Sequence, residues 1–183
     1  MAGKRENRRV LMTKRLMKDA LMELLQQHEL VNISVTAICE TADVHRSTFY
    51  KHYKDQADLL RDLEQDYLDQ VPIPSRDLNQ WEEDELLAET TAFFDYVKRN
   101  EGAFRVFLGE TTSSDFAARL IDLLCSKYST SGVNGNDTTS YYAHLYVANG
   151  TVGMLRKWLN SGFPISSREI AEAMYRFSMK VIQ

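Results

Sequence analysis

Almost every segment of this chain repeats its apolar residues at the helical period, and no segment alternates them as a strand would. In the first segment Met17, Ala20, Leu21, Leu24 and Leu25 recur at i, i+3, i+4, i+7 and i+8, which puts them on one helix face. The same stripe returns at Leu59, Leu60, Leu63 and Tyr67, and at Leu86, Leu87, Thr90, Phe93, Phe94 and Val97. It returns again at Phe116, Leu120, Leu123 and Leu124, and at Ile170, Ala173, Met174, Phe177 and Val181. Tyr141, Leu145, Ala148, Val152, Leu155 and Leu159 step by 4, 3, 4, 3, 4, a heptad-like seam suited to packing on another helix. The expected fold class is therefore all-α.

The punctuation between stripes agrees. Ser34 is a good N-cap for a second helix that turns Ala37 and Ile38 inward. Ala42-Asp43-Val44-His45 interrupts it for only a few residues before a short helix over 46–53. A fourth helix starts near Asp55 and stops before Pro72 and Pro74, which cannot continue it. This proline cluster is the expected loosening of the chain, with the fourth helix shared between a head, residues 1–63, and a helical body, residues 64–183. In the body, residues 129–139 read as a loop, Gly162-Phe163-Pro164 stops a helix, and Ser166 with Glu169 forms a capping box. Gly150 and Gly153 each cost helix propensity, roughly 1 kcal/mol against Ala, and the expected return is close approach by a neighbour.

Charge divides unevenly along the chain. The net of −4 hides a head, residues 1–61, with 11 basic and 8 acidic groups, and a remainder with 11 basic and 18 acidic. A net +3 head on a −7 body suggests a nucleic-acid contact confined to one end. With 44% hydrophobic and 26% charged residues the composition is ordinary and globular, which excludes a disordered chain. No run approaches the roughly 18 apolar residues that span a bilayer. No apolar stretch follows the basic N-terminus as a signal peptide requires, so a cytoplasmic location and no membrane partner are expected. Cys39 and Cys125 lie 86 positions apart without a CxxC, against a zinc finger or disulfide framework. No GxxxxGK[ST], GxSxG or HExxH occurs, and His28, His45, His52 and His144 show no ligand spacing. Neither an enzyme nor a metal nor a cofactor is expected.

The pair of short helices over residues 34–53 reads as a helix-turn-helix, whose second helix can enter the major groove. The turn needs a left-handed backbone, which Asp43 tolerates because its short side chain bonds locally. Val44 is expected beneath the turn, and Phe49 is the apolar anchor of the second helix. Arg46, Ser47, Thr48, Tyr50, Lys51 and His52 remain outside, types that suit phosphates and base edges. Arg46 and Lys51 can donate to guanine N7 and O6. Ser47 and Thr48 can bond phosphates or touch a thymine methyl, and Tyr50 and His52 can reach phosphate oxygens. Lys54 offers a further phosphate contact. A plain solvated helix pair is the alternative.

Residues 13–63 resemble the DNA-binding head of the TetR/AcrR family of transcriptional regulators. The resemblance is carried by Thr36-Ala37-Ile38-Cys39, Ala42-Asp43-Val44 and Ser47-Thr48-Phe49-Tyr50-Lys51-His52-Tyr53, followed by Leu59-Leu60. It implies three head helices braced by a long fourth, and an all-α C-terminal domain that dimerises through its last two helices and holds an effector pocket. It adds Thr36 as a base or phosphate contact. The segment from Gly150 to Leu159, then residues 166–174, resembles the branch that includes dihydroxyacetone kinase operon regulators. Three positions depart from the family pattern. Asp43 replaces the usual turn glycine, His45 stands where Ser or Asn often caps the recognition helix, and Gln56 where many members have Lys. These leave His45 among the DNA-contact candidates.

Lys4, Arg5, Arg8 and Arg9, with Lys14, Arg15 and Lys18 beyond them, are read either as a basic arm (residues 1–9) laid on phosphates or as a solvated tail. Phe93, Phe94, Val97, Phe104, Phe107, Phe116, Leu120, Tyr142 and Tyr146 are candidates to surround an effector pocket, with a plain apolar core as the alternative. Leu145, Ala148, Val152, Leu155, Leu159, Ile170, Met174 and Phe177 are candidates for a two-fold, four-helix dimer interface. The function expected is a homodimeric repressor that an effector releases from a palindromic operator on double-stranded DNA. A coactivator controlled by a protein partner is the alternative, as is an adaptor that has lost DNA binding.

Overall fold

A computed structural model describes the backbone over residues 2–73, 82–109, 115–129 and 138–182, and side chains over 8–73, 82–109, 115–126 and 141–178. The described residues form helices and no strands. In order they are α1 (Ala2–Leu25), α2 (Val35–Thr41), α3 (Arg46–Phe49), α4 (Gln56–Leu68), α5 (Glu83–Arg99), α6 (Glu101–Phe107), α7 (Phe116–Ser129), α8 (Thr138–Asn160) and α9 (Ser167–Ile182). A short 3-10 turn, Leu30–Asn32, precedes α2. No helix among the described residues is long and apolar enough to cross a membrane.

The chain divides into two compact units, the first over Met1–Asp69 and the second built from Gln70 onward. The division expected at residue 63 thus falls inside α4, all of which belongs to the first unit. There α1 packs on α2 and α4, and α2 packs on α3. The periodic residues supply the core: Met17, Leu21, Ile38, Phe49 and Leu59 are fully buried. The caps form as local chemistry dictates. Ser34 Oγ accepts the amide of Ala37 at 3.1 Å, and Asp55 Oδ1 accepts that of Asp58 at 2.9 Å.

In the second unit α5 packs on α9 and α6, and α8 packs on α6, α7 and α9. Its centre is aromatic. Phe94 meets Trp158 edge-on at 5.5 Å, and Phe116 meets Phe104 at 5.6 Å and Phe107 at 4.9 Å. The capping box closes reciprocally: Glu169 Oε2 accepts from the Ser166 amide at 2.8 Å, and Ser166 Oγ accepts from the Glu169 amide at 3.2 Å. Gly162 at φ 71° and Phe163 at φ 59° together turn the chain out of α8. Phe163 is held in that left-handed conformation by edge contact with Trp158 at 4.6 Å.

Two expectations are corrected. The basic segment 2–9 is helical, the start of α1 from Ala2 onward, rather than a disordered tail. The Lys4 and Arg5 side chains lie outside the described residues. The recognition helix is shorter than 46–53. After Phe49 the chain tightens to i→i−3 bonds, with Lys51 N to Thr48 O at 3.3 Å and His52 N to Phe49 O at 2.9 Å. The Tyr53 amide returns to an i→i−4 bond with Phe49 O at 3.0 Å, so Tyr53 falls on the same face as Phe49 and is nearly fully buried.

Candidate nucleic-acid interface

The turn between α2 and α3 is built by one left-handed residue. Asp43 sits at φ 52°, and the Val44 amide bonds back to Cys39 O at 3.0 Å. Ala42 is buried beneath this turn, while Val44 is half-buried rather than covered. An L-residue with a Cβ pays roughly 1–2 kcal/mol in this conformation, less for Asp. Asp43→Gly is therefore expected to raise the melting temperature by a few degrees, and Asp43→Val to lower it, both read by thermal circular dichroism.

With Phe49 fully buried, the short α3 can present only its remaining residues to the outside. His45, Arg46, Ser47, Tyr50, Lys51 and Lys54 are exposed, Tyr50 by 52%. Thr36, Thr48 and His52 are half-buried. His45 is the N-cap residue of α3, yet its side chain makes no capping bond. Thr36, Cys39, Glu40, Asp43, Val44, His45 and Arg46 line a shallow hollow of about 350 Å³ in front of the turn. Of the predicted contact residues, Thr36, His45 and Arg46 thus share one hollow, with the acidic Glu40 and Asp43 also on its wall.

Two of the basic residues grouped with the arm face elsewhere. Lys14 Nζ bonds Asp62 Oδ2 at 3.1 Å; Lys18 Nζ bonds the same oxygen at 3.1 Å and also reaches Asp66. Tyr53 Oη donates to that oxygen too, at 2.6 Å. Burial by itself would raise the Asp62 carboxyl; the bonds from Tyr53, Lys18 and Lys14 outweigh it and hold the group below the ordinary aspartate range. Burial, then the Asp62 bond, pushes the Tyr53 phenol upward. Sequence reasoning missed Asp62, Asp66 and this role of Tyr53. The available signal was the matched spacing: Lys14 and Lys18 are four apart on α1, as Asp62 and Asp66 are on α4.

In the second unit most of the residues expected around a pocket pack on one another. Phe93, Phe94, Val97, Phe104, Phe107, Phe116 and Leu120 are buried, and the rings occupy one another's space. Among the described residues, Pro72, Ile73, Thr90, Phe93, Leu124, Thr151 and Met174 line a cavity of about 10 Å³. Tyr142 and Tyr146 do not line it. They are 61% and 68% exposed, because the buried face of α8 runs through His144, Ala148, Thr151 and Leu155 on the opposite side.

The heptad seam is likewise spent inside the chain. Ala148, Val152, Leu155, Leu159, Ile170 and Met174 are buried, Leu145 is half-buried, and Tyr141, at 53%, and Phe177, at 64%, are left outside. Gly150 and Gly153 have open space where a Cβ would stand: among the described residues no neighbour comes within 4 Å of that position.

Residues 84–180 match the family model described as a transcriptional regulator C-terminal region. No curated protein matches in sequence. Among solved structures the fold is similar to that of a TetR transcriptional regulator from Streptococcus agalactiae, at TM-score 0.71 and 18% identity over 99% of each chain. It is similar to the dihydroxyacetone kinase operon activator DhaS, at TM-score 0.63 and 16% identity over 93% of this chain and 96% of that one. NalD of Pseudomonas aeruginosa, the secondary repressor of the MexAB-OprM efflux pump, aligns at TM-score 0.59 and 15% identity over 94% and 97%.

Proposed function

From the premise that this chain belongs to the TetR family of transcriptional regulators, and so is a DNA-binding regulator, we propose that it is a homodimeric repressor of a pseudo-palindromic operator. One observation carries the reading: a single-turn helix, pinned by buried Phe49, leaves Arg46, Ser47, Tyr50 and Lys51 exposed together. Arg46 and Lys51 read guanine edges; Ser47, Thr48, Tyr50, His52 and Lys54 take phosphates; Thr36 and His45 flank them. Selection of bound DNA from a random pool tests this. Two half-sites in dyad symmetry, about one helical turn apart, are the expected product. A pool that enriches no sequence overturns the reading.

The dimer face we assign is the outer side of α8 and α9, where Tyr142, Tyr146 and Phe177 stand exposed beside the bare Gly150 and Gly153. Large exposed aromatics favour an interface, and glycines permit close helix approach. Tyr146→Asp is expected to shift sedimentation from dimer to monomer while the helical content stays unchanged. Sedimentation as a dimer after that change removes α8 from the interface.

Release by a small effector requires it to favour one of two conformations. Phe93, Phe94, Phe104, Phe107 and Phe116 are packed ring against ring, so a ligand entering among them would have to part those contacts. The same observation favours a second reading, control by a protein partner, with the chain acting as a coactivator. Transcript levels in a deletion strain separate the signs: the target operon rises on loss of a repressor and falls on loss of an activator. Either reading operates in the cytoplasm, where the DNA is.

A further inference from the structure

Three donors converge on one oxygen of Asp62. Tyr53 Oη lies 2.6 Å from Oδ2, and the ammonium groups of Lys14 and Lys18 each lie 3.1 Å from it. Lys18 also donates to the Asp62 carbonyl at 3.1 Å, and its side chain is only 10% exposed. Lys14 Nζ stands 5.1 Å from the Tyr53 ring centroid, a cation–π distance. A single carboxylate on α4 therefore joins α1 to the segment that follows α3.

The position of Tyr53 gives this junction a purpose beyond stability. Helix α3 has four residues, too few to set its own direction by internal bonds. Two residues tie it down: Phe49, by apolar contact, and Tyr53, whose ring lies 5.8 Å from that of Phe49. Apolar contact tolerates rotation, whereas the hydroxyl bond to Asp62 is directional. We propose that Asp62 is a positioning residue for DNA reading, which aims the recognition helix through Tyr53 without touching DNA. The proposal rests on α3 being the DNA reader.

Base-edge contacts need that aim, while phosphate contacts tolerate its loss. Loss of the tether should therefore cost specific binding and spare non-specific binding. The test uses full-length Tyr53→Phe, Asp62→Asn and the double variant, each shown folded by circular dichroism, with operator and scrambled duplexes titrated across a salt series. Tyr53→Phe deletes only the hydroxyl and carries the test if Asp62→Asn does not fold. Operator affinity is expected to fall about tenfold in each single variant and no further in the double, because the two share one interaction. In Tyr53→Phe, which changes no charge, affinity for scrambled DNA and the salt slope should stay at wild-type values, since no phosphate contact is removed.

Unchanged operator affinity in Tyr53→Phe overturns the proposal. Equal losses on operator and scrambled DNA or a shallower salt slope in that variant, or additive effects in the double, also overturn it. A wild-type protein that itself fails to discriminate the two duplexes instead brings down the reading of α3, and the proposal with it.

Discussion

Phe49→Ala is expected to unfold the head and abolish operator binding. The side chain is fully buried, and its ring is the only large apolar group that the four-residue α3 contributes to the core. Truncating a buried Phe to Ala costs about 3–5 kcal/mol, the lost transfer energy plus a cavity. A unit of this size holds a total stability of about 3–10 kcal/mol at the usual density per residue. The loss therefore consumes a large share of what holds the helix-turn-helix together. Hydrogen exchange followed by mass spectrometry checks it: amides over residues 35–63 should lose protection, while those of α8 keep theirs. Retained protection over 35–63 would show that Phe49 is not the anchor.

Arg46→Ala and Lys51→Ala should act oppositely, leaving the fold intact and removing recognition. Both side chains are exposed, and no hydrogen bond within the described residues depends on either. A good side-chain contact to a base pair is worth about 1–3 kcal/mol of discrimination. A two-fold dimer uses each residue twice, so a single substitution removes about 2–6 kcal/mol, or about 30-fold to 20,000-fold in operator affinity. Fluorescence anisotropy with the selected operator measures the loss, and a thermal melt should stay within a degree or two of wild type. Operator affinity that survives both substitutions would move the reading surface away from α3.

These opposite outcomes follow from adjacent residues, and the difference between them was partly legible in the sequence. Phe49 is the one apolar side chain between Arg46 and Lys51 that must face inward if a helix forms there at all, apart from Tyr50, whose hydroxyl suits it to water. The left-handed Asp43, the Ser34 cap and the Ser166–Glu169 box were readable for the same reason. Each is decided by atoms within about five residues of one another, so the local sequence contains every participant.

The faces of α8 were not readable in this way. A heptad seam has one appearance whether it packs on a helix of the same chain or on a second copy. Ala148, Val152, Leu155 and Leu159 went to α7 and α9, which leaves Tyr142 and Tyr146 outside. The phenylalanine stripes carried the same ambiguity, since a ring that lines a pocket and a ring that fills one have identical periodicity. Only the ring distances near 5 Å, edge-on between Phe93 and Phe94 and tilted between Phe107 and Phe116, show that these rings pack on one another.

The basic residues of α1 show the division most sharply. Their charge and helical spacing were fixed by composition, and either suits a phosphate as well as a carboxylate. Arg8, Arg9 and Arg15 stay exposed, whereas Lys14 and Lys18 meet Asp62, whose position in the chain is 48 and 44 residues away. The sequence by itself determined that this protein is helical, where its helices are capped, and that one short helix turns cations and hydroxyls outward. Those properties depend on backbone geometry and on neighbours a turn away. The tertiary structure decided which apolar faces are used up within the chain and which lysines are already compensated, because both depend on contacts between segments that no local spacing brings together.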